Sequence, residues 1–286
     1  MAAEWLPWAL LSVALWGTGT LTAKPSTDRA GATRMFFWAA LVEAATFLLI
    51  GLTLPRLPWS WDVGAVAVAL FAALTGIVGY LFFYEGLAVG TVSVVGTVTA
   101  AYPALTVVLG VTILGETITG VQAFGVVLLL LVVVLVAYEP RKDGRIISRA
   151  AAFAILGFVL WGLWGGAVKV SIGTIGEANL FLWYAVVNAI VGTTYFAWRG
   201  RKGDPAALDR RTNSLIAYTL FSGAVSAFAV NYAYTSGPAS LVTPVAGSYP
   251  VIATLAAAIV LKERMTPRIV LGLFAFVAGI VLVAWA

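Results

Sequence analysis

Apolar residues run through this chain in long uncharged stretches, separated by short clusters of charge, glycine and proline. The stretches lie near 8–27, 33–54, 63–88, 92–114, 118–138, 150–172, 178–198, 214–235, 239–261 and 267–286. Each approaches or exceeds ~20 residues, the length an α-helix needs to cross ~30 Å of hydrocarbon. The alternating apolar/polar segments of a membrane β-barrel are absent, which rejects that architecture. The pattern predicts an all-α polytopic membrane protein with ten transmembrane helices. Composition points the same way. Of the 286 residues, 62% are hydrophobic and 10% charged, and mean hydropathy is +1.00. No soluble domain of that length needs so much apolar surface.

The ten stretches are not independent, because residues 16–43 reappear at 161–188 and residues 76–125 reappear at 223–272. In the first block the offset is 145, pairing Trp16-Gly17 with Trp161-Gly162, Lys24 with Lys169, Phe36 and Trp38 with Phe181 and Trp183, and Glu43 with Asn188. In the second it is 147, pairing Gly90 with Gly237, Tyr102-Pro103 with Tyr249-Pro250, and Glu116 with Glu263. The chain is a tandem duplication: a first repeat over 1–138, a linker over 139–149 and a second repeat over 150–286. Five crossings per repeat is odd, so the second copy enters the membrane from the opposite face. The halves are then related by a two-fold axis in the membrane plane, an inverted repeat that puts a substrate site near the midplane and lets the halves rock for alternating access.

The repeated motifs carry a resemblance. The first helix of each half has a Trp-Gly step followed by Lys24 or Lys169. The fourth reads Ala-Tyr-Pro-Ala-Leu-Thr-Val over 101–107 or Ser-Tyr-Pro-Val-Ile-Ala-Thr over 248–254, and ends in Leu-Gly-Glu-Thr or Leu-Lys-Glu-Arg. Over essentially its whole length the chain resembles the drug/metabolite transporter superfamily, of the EamA type with two EamA repeats. The resemblance implies a central cavity lined mainly by the first four helices of each half, and transport of small metabolites, often by export. The small multidrug transporters that this family resembles carry a proton-coupling Glu where Trp16 stands. Both copies here have Trp, so that coupling does not carry over.

Loop charge gives an orientation. Arg29, Arg34, Arg141, Lys142, Arg145, Arg149, Arg199, Arg201, Lys202, Arg210, Arg211, Lys262, Arg264 and Arg268 fall on one face, and the face of the termini holds only Arg56 among basic residues. Positive loops stay cytoplasmic, which places both termini outside the cell, in a prokaryotic plasma (inner) membrane. The pI near 9.6 needs no nucleic-acid partner, because these charges face anionic lipid and cytoplasm. The first apolar run has no basic flank before it and belongs to a repeat, so no cleavable signal peptide is evident. Cysteine and histidine are absent, which excludes thiol chemistry and Cys/His metal sites. Nothing resembles a Walker loop, so no cofactor is implied and a gradient or exchange drives transport.

Candidate chemistry sits where the membrane tolerates a cost. Glu43 lies mid-helix among apolar residues, where an ionisable group costs ~2–3 kcal/mol or more unless it is paired or faces water. It suits a proton or a substrate amine. Its counterpart Asn188, and Asn231 in the position of Tyr84, offer directional hydrogen bonds. Trp16, Trp38, Trp161, Trp164 and Trp183 fall deeper and, with Tyr84, form an aromatic set that suits an organic cation by cation–π attraction or stacks on an aromatic metabolite. Trp5, Trp8, Trp59, Trp61, Trp198 and Trp285 fall at helix ends, as an interfacial belt does. Lys24 and Lys169 either snorkel or act as coupling residues that anchor a substrate carboxylate or pair with Glu43. Glu85 is interfacial or lines or gates the cavity. Pro103 and Pro250, with Pro244, Tyr102 and Tyr249, mark a bent polar seam and moving parts, since proline frees a backbone carbonyl. Gly162-x-x-x-Gly166 and Ala275-x-x-x-Gly279 read as close helix contacts.

These features predict a secondary transporter that exports a small amino-acid-like or amine metabolite. Two rivals are uptake of a quaternary amine or related organic cation, and a lipid-linked sugar flippase or its accessory subunit. A membrane enzyme is not expected, since the sequence offers no His, Cys, metal cluster or paired-carboxylate motif to do chemistry. Duplication removes the need to dimerise.

Overall fold

Hydrocarbon offers no hydrogen bonds, so a chain this apolar must satisfy its backbone within each segment, and helix does so. A computed structural model describes residues 4–59, 61–137, 149–200, 209–260 and 267–284. They form α1 (Leu6–Ala30), α2 (Ala32–Thr53), α3 (Val63–Val89), α4 (Val92–Ala100), α5 (Pro103–Thr112), α6 (Gly120–Ala137), α7 (Arg149–Ile175), α8 (Glu177–Arg199), α9 (Arg210–Ser236), α10 (Ala239–Gly247), α11 (Pro250–Val260) and α12 (Pro267–Ala284), with no strand among the described residues. Apart from Arg149, the expected linker lies outside them.

Among the described residues seven stretches are long and apolar enough to cross a membrane, against the ten expected. They are Ala32–Thr53, Val63–Val89, Val94–Thr112, Arg149–Ile175, Glu177–Arg199, Arg210–Ser236 and Ala239–Ala256. Helix α1 is not among them, and its second half carries Thr18, Thr20, Thr22, Lys24, Ser26, Thr27, Asp28 and Arg29. Gly120–Val132 in α6 and Val270–Ala284 in α12 are shorter apolar helices.

Two expected helices are broken, and proline is the cause. Pro103 has no N–H to give the Thr99 carbonyl, so the Tyr102 amide takes that carbonyl at 3.0 Å and the ladder tightens to i−3 bonds through Ala104 and Leu105. The same happens around Pro250, where Ser248 N bonds Val245 O and Val251 N bonds Ser248 O, both at 3.1 Å. A tyrosine sits at each break.

The duplication is visible in how the ends are finished. Asp62 caps α3 by accepting from Ala65 N at 2.8 Å, and Asp209, 147 residues on, caps α9 by accepting from Thr212 N at 2.8 Å. Helices α1 and α2 join through the single residue Gly31 (φ 80°), and α7 and α8 through Gly176 (φ 78°), a backbone region that side-chain-bearing residues avoid. Packing repeats the relation. Helix α1 lies along α9 as α7 lies along α3, while α2–α8 and α6–α12 pair each helix with its own counterpart. Phe47 stacks near Phe181 across the α2–α8 seam (5.2 Å). The expected close contact at Gly279 is present: a Cβ there would come within 2.8 Å of Leu129 Cγ and 3.1 Å of the Gly125 carbonyl.

The tryptophan belt holds in part. Trp59, Trp61 and Trp198 are exposed, whereas Trp5 is buried over Gly237, whose missing side chain leaves room for the indole. Trp285 lies outside the described residues.

Gly176→Ala forces a Cβ into a glycine-only conformation, at a cost of roughly 1–3 kcal/mol. Its melting temperature in detergent should fall by several degrees, and an unchanged melt would show that the link relaxes freely.

Candidate functional site

Helices α1, α2, α3, α7, α8 and α9, with the two tyrosine breaks, surround a central cavity with an empty volume of about 800 Å³, its open mouth included. Its walls are aromatic. Tyr102 and Tyr249 enter from the breaks, Trp16 from α1, Tyr80 and Tyr84 from α3, and Trp161 and Trp164 from α7. The Trp161 ring meets Tyr80 edge-on at 5.2 Å and Tyr102 at 6.0 Å, and Trp16 meets Tyr249 at 6.1 Å.

Glycine seats these rings. Gly76 and Gly79 clear one face of α3, and the Trp161 indole lies where a Cβ of Gly79 would be. From there its Nε1 donates to the Gly76 carbonyl at 3.2 Å. An indole N–H buried in hydrocarbon needs such a partner.

Glu43 is almost fully buried, at 5% exposure, and borders this cavity. Asn188 Nδ2 donates to its Oε2 at 3.2 Å, and the Tyr80 hydroxyl is within hydrogen-bonding reach. Trp16 Nε1 donates to Tyr80 Oη at 3.0 Å, which occupies the phenol as acceptor and leaves its proton to be given to Glu43. The carboxyl is therefore steered from two sides, through Trp16–Tyr80 and through Asn188. Among the described residues lining the cavity, Glu43 is the sole acid, and neither lysine nor arginine is present.

The structure gathers most of the sequence candidates and moves others elsewhere. Trp16, Trp161, Tyr84, Tyr102, Tyr249, Asn231 and Glu43 line the cavity, with Asn188 directly behind Glu43. Trp38 and Trp183 are not among the lining residues; Trp183 packs on Trp59, 5.6 Å away, on the outer side of α8. Glu85 accepts from the Tyr195 hydroxyl, away from the cavity. Pro103 and Pro250 sit at the first turns of α5 and α11, and the Pro103 ring lies against Gly247 of the opposite half.

The lysines have a structural task. Lys169 Nζ donates to the Tyr234 and Gly237 carbonyls at the C-terminal end of α9, both at 2.8 Å. Lys24 does the equivalent for α3, donating to the Leu87 carbonyl at 2.7 Å, and also pairs with Asp28 at 2.6 Å. Neither touches Glu43 or lines the cavity, so the reading of Lys169 as an anchor for a substrate carboxylate finds no geometric support.

Sequence reasoning missed Tyr80 and Tyr184, the second accepting a bond from the indole N–H of Trp164, one of the tryptophans expected to lie deep. Helical spacing held the signal. Tyr80 lies one turn from both Gly76 and Tyr84, and Tyr184 lies one turn before Asn188.

A membrane protein, helical over its described residues and with a central aromatic cavity between its helices, is the class this fold and cavity define. The chain matches the EamA-like transporter family twice, over residues 3–138 and 148–285, and it belongs to that family. It is thus a membrane transporter of the drug/metabolite superfamily rather than an enzyme. No match is found among curated proteins. A solved structure described only as "Crystal structure of protein" has a TM-score of 0.74 at 16% identity, covering 99% of this chain and 96% of that one, and so shares the fold.

Two outcomes follow from this geometry. Gly79→Val drives a side chain into the Trp161 indole, and substrate affinity should fall about ten-fold or more in an equilibrium binding assay; unchanged affinity would remove Trp161 from the site. Lys169→Met frees two carbonyls, so it should lower the melting temperature and leave the ligand preference of the protein as it was.

Proposed function

We propose that this chain is a secondary transporter that carries a small organic cation across the prokaryotic plasma membrane by alternating access. The observation that carries this reading is the position of Glu43, one acid with no base beside it, in a cavity walled by aromatic rings. A cation there gains from ring faces and from a carboxylate in a low-dielectric setting. An amino-acid zwitterion would bring a carboxylate with no basic side chain to meet it. The pyrophosphate of a lipid-linked sugar would fare worse. The geometry therefore favours the amine over the amino acid, and a permanently charged amine is accommodated as well as a protonated one.

The wider architecture supports transport. Counting α4–α5 and α10–α11 as one crossing each gives five per half, hence an inverted repeat with the site at the interface of the halves. On the loop charges, both termini lie outside the cell and the basic loops within. The imposed gradients set the direction of net flux, since each step is reversible.

Glu43→Gln keeps the shape and one acceptor oxygen but removes the charge. It should weaken binding of a cationic substrate about 30-fold or more, while the purified protein stays folded. A proton competes with the cation for an ionised carboxylate, so affinity should also fall as pH is lowered in the wild type and become flat in Glu43→Gln. Solid-supported-membrane currents from liposomes, across a panel of amines and amino acids, read both effects. Full activity of Glu43→Gln would remove this residue from the mechanism.

A further inference from the structure

Two residues that line the cavity each carry a buried polar atom without a hydrogen-bond partner. Asn231, 1% exposed, donates through Nδ2 to the Ala227 carbonyl at 2.6 Å, but its Oδ1 accepts nothing. Tyr102, 2% exposed, has a hydroxyl with no hydrogen bond. Both residues line the cavity. Buried polar groups are nearly always satisfied, and an orphan in a binding cavity points to what the cavity binds.

The repeat shows how these orphans arose. Tyr249, the counterpart of Tyr102, has the Thr99 hydroxyl within hydrogen-bonding reach. The position matching Thr99 in the other half is Ala246, so Tyr102 has lost the partner that its twin keeps. Asn231 stands where the first half has Tyr84. Asn231 therefore stands where the two copies have diverged, and Tyr102, shared by both, lacks a partner because the position matching Thr99 has diverged, inside a cavity whose framework they still share.

We propose that Asn231 and Tyr102 form a second subsite that takes a hydroxyl of the substrate, so that the transported class is hydroxylated organic cations. The chemistry selects the group. An amide oxygen only accepts and needs a donor, and a phenol otherwise without a partner can donate and needs an acceptor. A hydroxyl answers both. This inference rests on Glu43 as the partner of the cationic nitrogen.

Matched pairs of probes test it: 2-hydroxyethylammonium against ethylammonium, and 2-hydroxyethyltrimethylammonium against ethyltrimethylammonium. The readout is the affinity ratio within a pair, by tryptophan fluorescence or calorimetry on purified protein. A site built to bond a hydroxyl rejects the analogue lacking it, so the hydroxylated member should bind about ten-fold or more tightly. That ratio should shrink in Tyr102→Phe, which deletes one oxygen atom, and in Asn231→Leu, and approach unity when both are combined. Equal affinity within the wild-type pairs would overturn the hydroxyl subsite and leave the cation reading standing. A preference that survives in the double variant would overturn the assignment to these residues. Failure of every probe to bind to folded protein would overturn the cation reading itself, and this inference with it.

Discussion

A helix end in hydrocarbon leaves amides and carbonyls without water, each costing several kcal/mol if unpaired (about 2–7 by transfer data). Much of the charge in this chain is placed to meet that cost. Lys169 holds the last carbonyls of α9 and Lys24 one at the end of α3. Glu116 grips the first two amides of α10, Ala239 N at 2.7 Å and Ser240 N at 2.8 Å, where the helix dipole also favours an anion. Asp62 and Asp209 cap α3 and α9 at exposed ends, outside the hydrocarbon. Glu43 is the buried acid that does none of this. Lying mid-helix, it has no orphan amide to serve, and it faces the cavity.

The duplication separates scaffold from specificity. What the halves share is mechanical: glycine links, aspartate caps, lysine-held helix ends, the Tyr-Pro breaks and the Trp16/Trp161 pair. They differ at many positions, and several of these lie on or beside the cavity. Glu43 faces its twin Asn188, Tyr80 corresponds to Ala227, Tyr84 to Asn231 and Gly19 to Trp164. A symmetric framework thus encloses an asymmetric lining, with the carboxyl on one side and the amide of Asn231 on the other half. An asymmetric ligand requires such an arrangement, because a strictly two-fold cavity would offer it two equivalent poses.

The fold was readable because hydrophobic runs and a repeated pattern are long-range signals that survive local noise. The helical character and the breaks at Pro103 and Pro250 lie where the sequence put them, whereas seven stretches rather than ten are long and apolar enough to span, and the contact between the counterparts Glu43 and Asn188 was not foreseen. Side-chain direction was harder to read. Trp38 and Trp183 recur in both repeats as clearly as Trp16 and Trp161 do, yet they pack outside the cavity, since recurrence marks a shared environment and not which environment. Lys169 looked like a free cation because its partners are backbone carbonyls, which leave no mark in a sequence. Tyr80 was overlooked because its role comes from touching Trp16 and Glu43 on two other helices.

Gly31 and Gly176 bear on how the site would move. A joint of one residue has two torsions and no slack, so it ties the end of α1 to the start of α2, and that of α7 to α8, while the bodies of these helices pack mainly on α9, α8 and α3. Trp16 and Glu43 ride on the first of these hairpins, and Trp161, Trp164, Tyr184 and Asn188 on the second. Any rocking of the halves must either turn these glycine torsions or move each hairpin as one lever, with the carboxyl and its indole neighbour on the same one. The Glu43–Asn188 hydrogen bond spans the two levers. It is a contact between moving bodies, and its length would register how far they have turned.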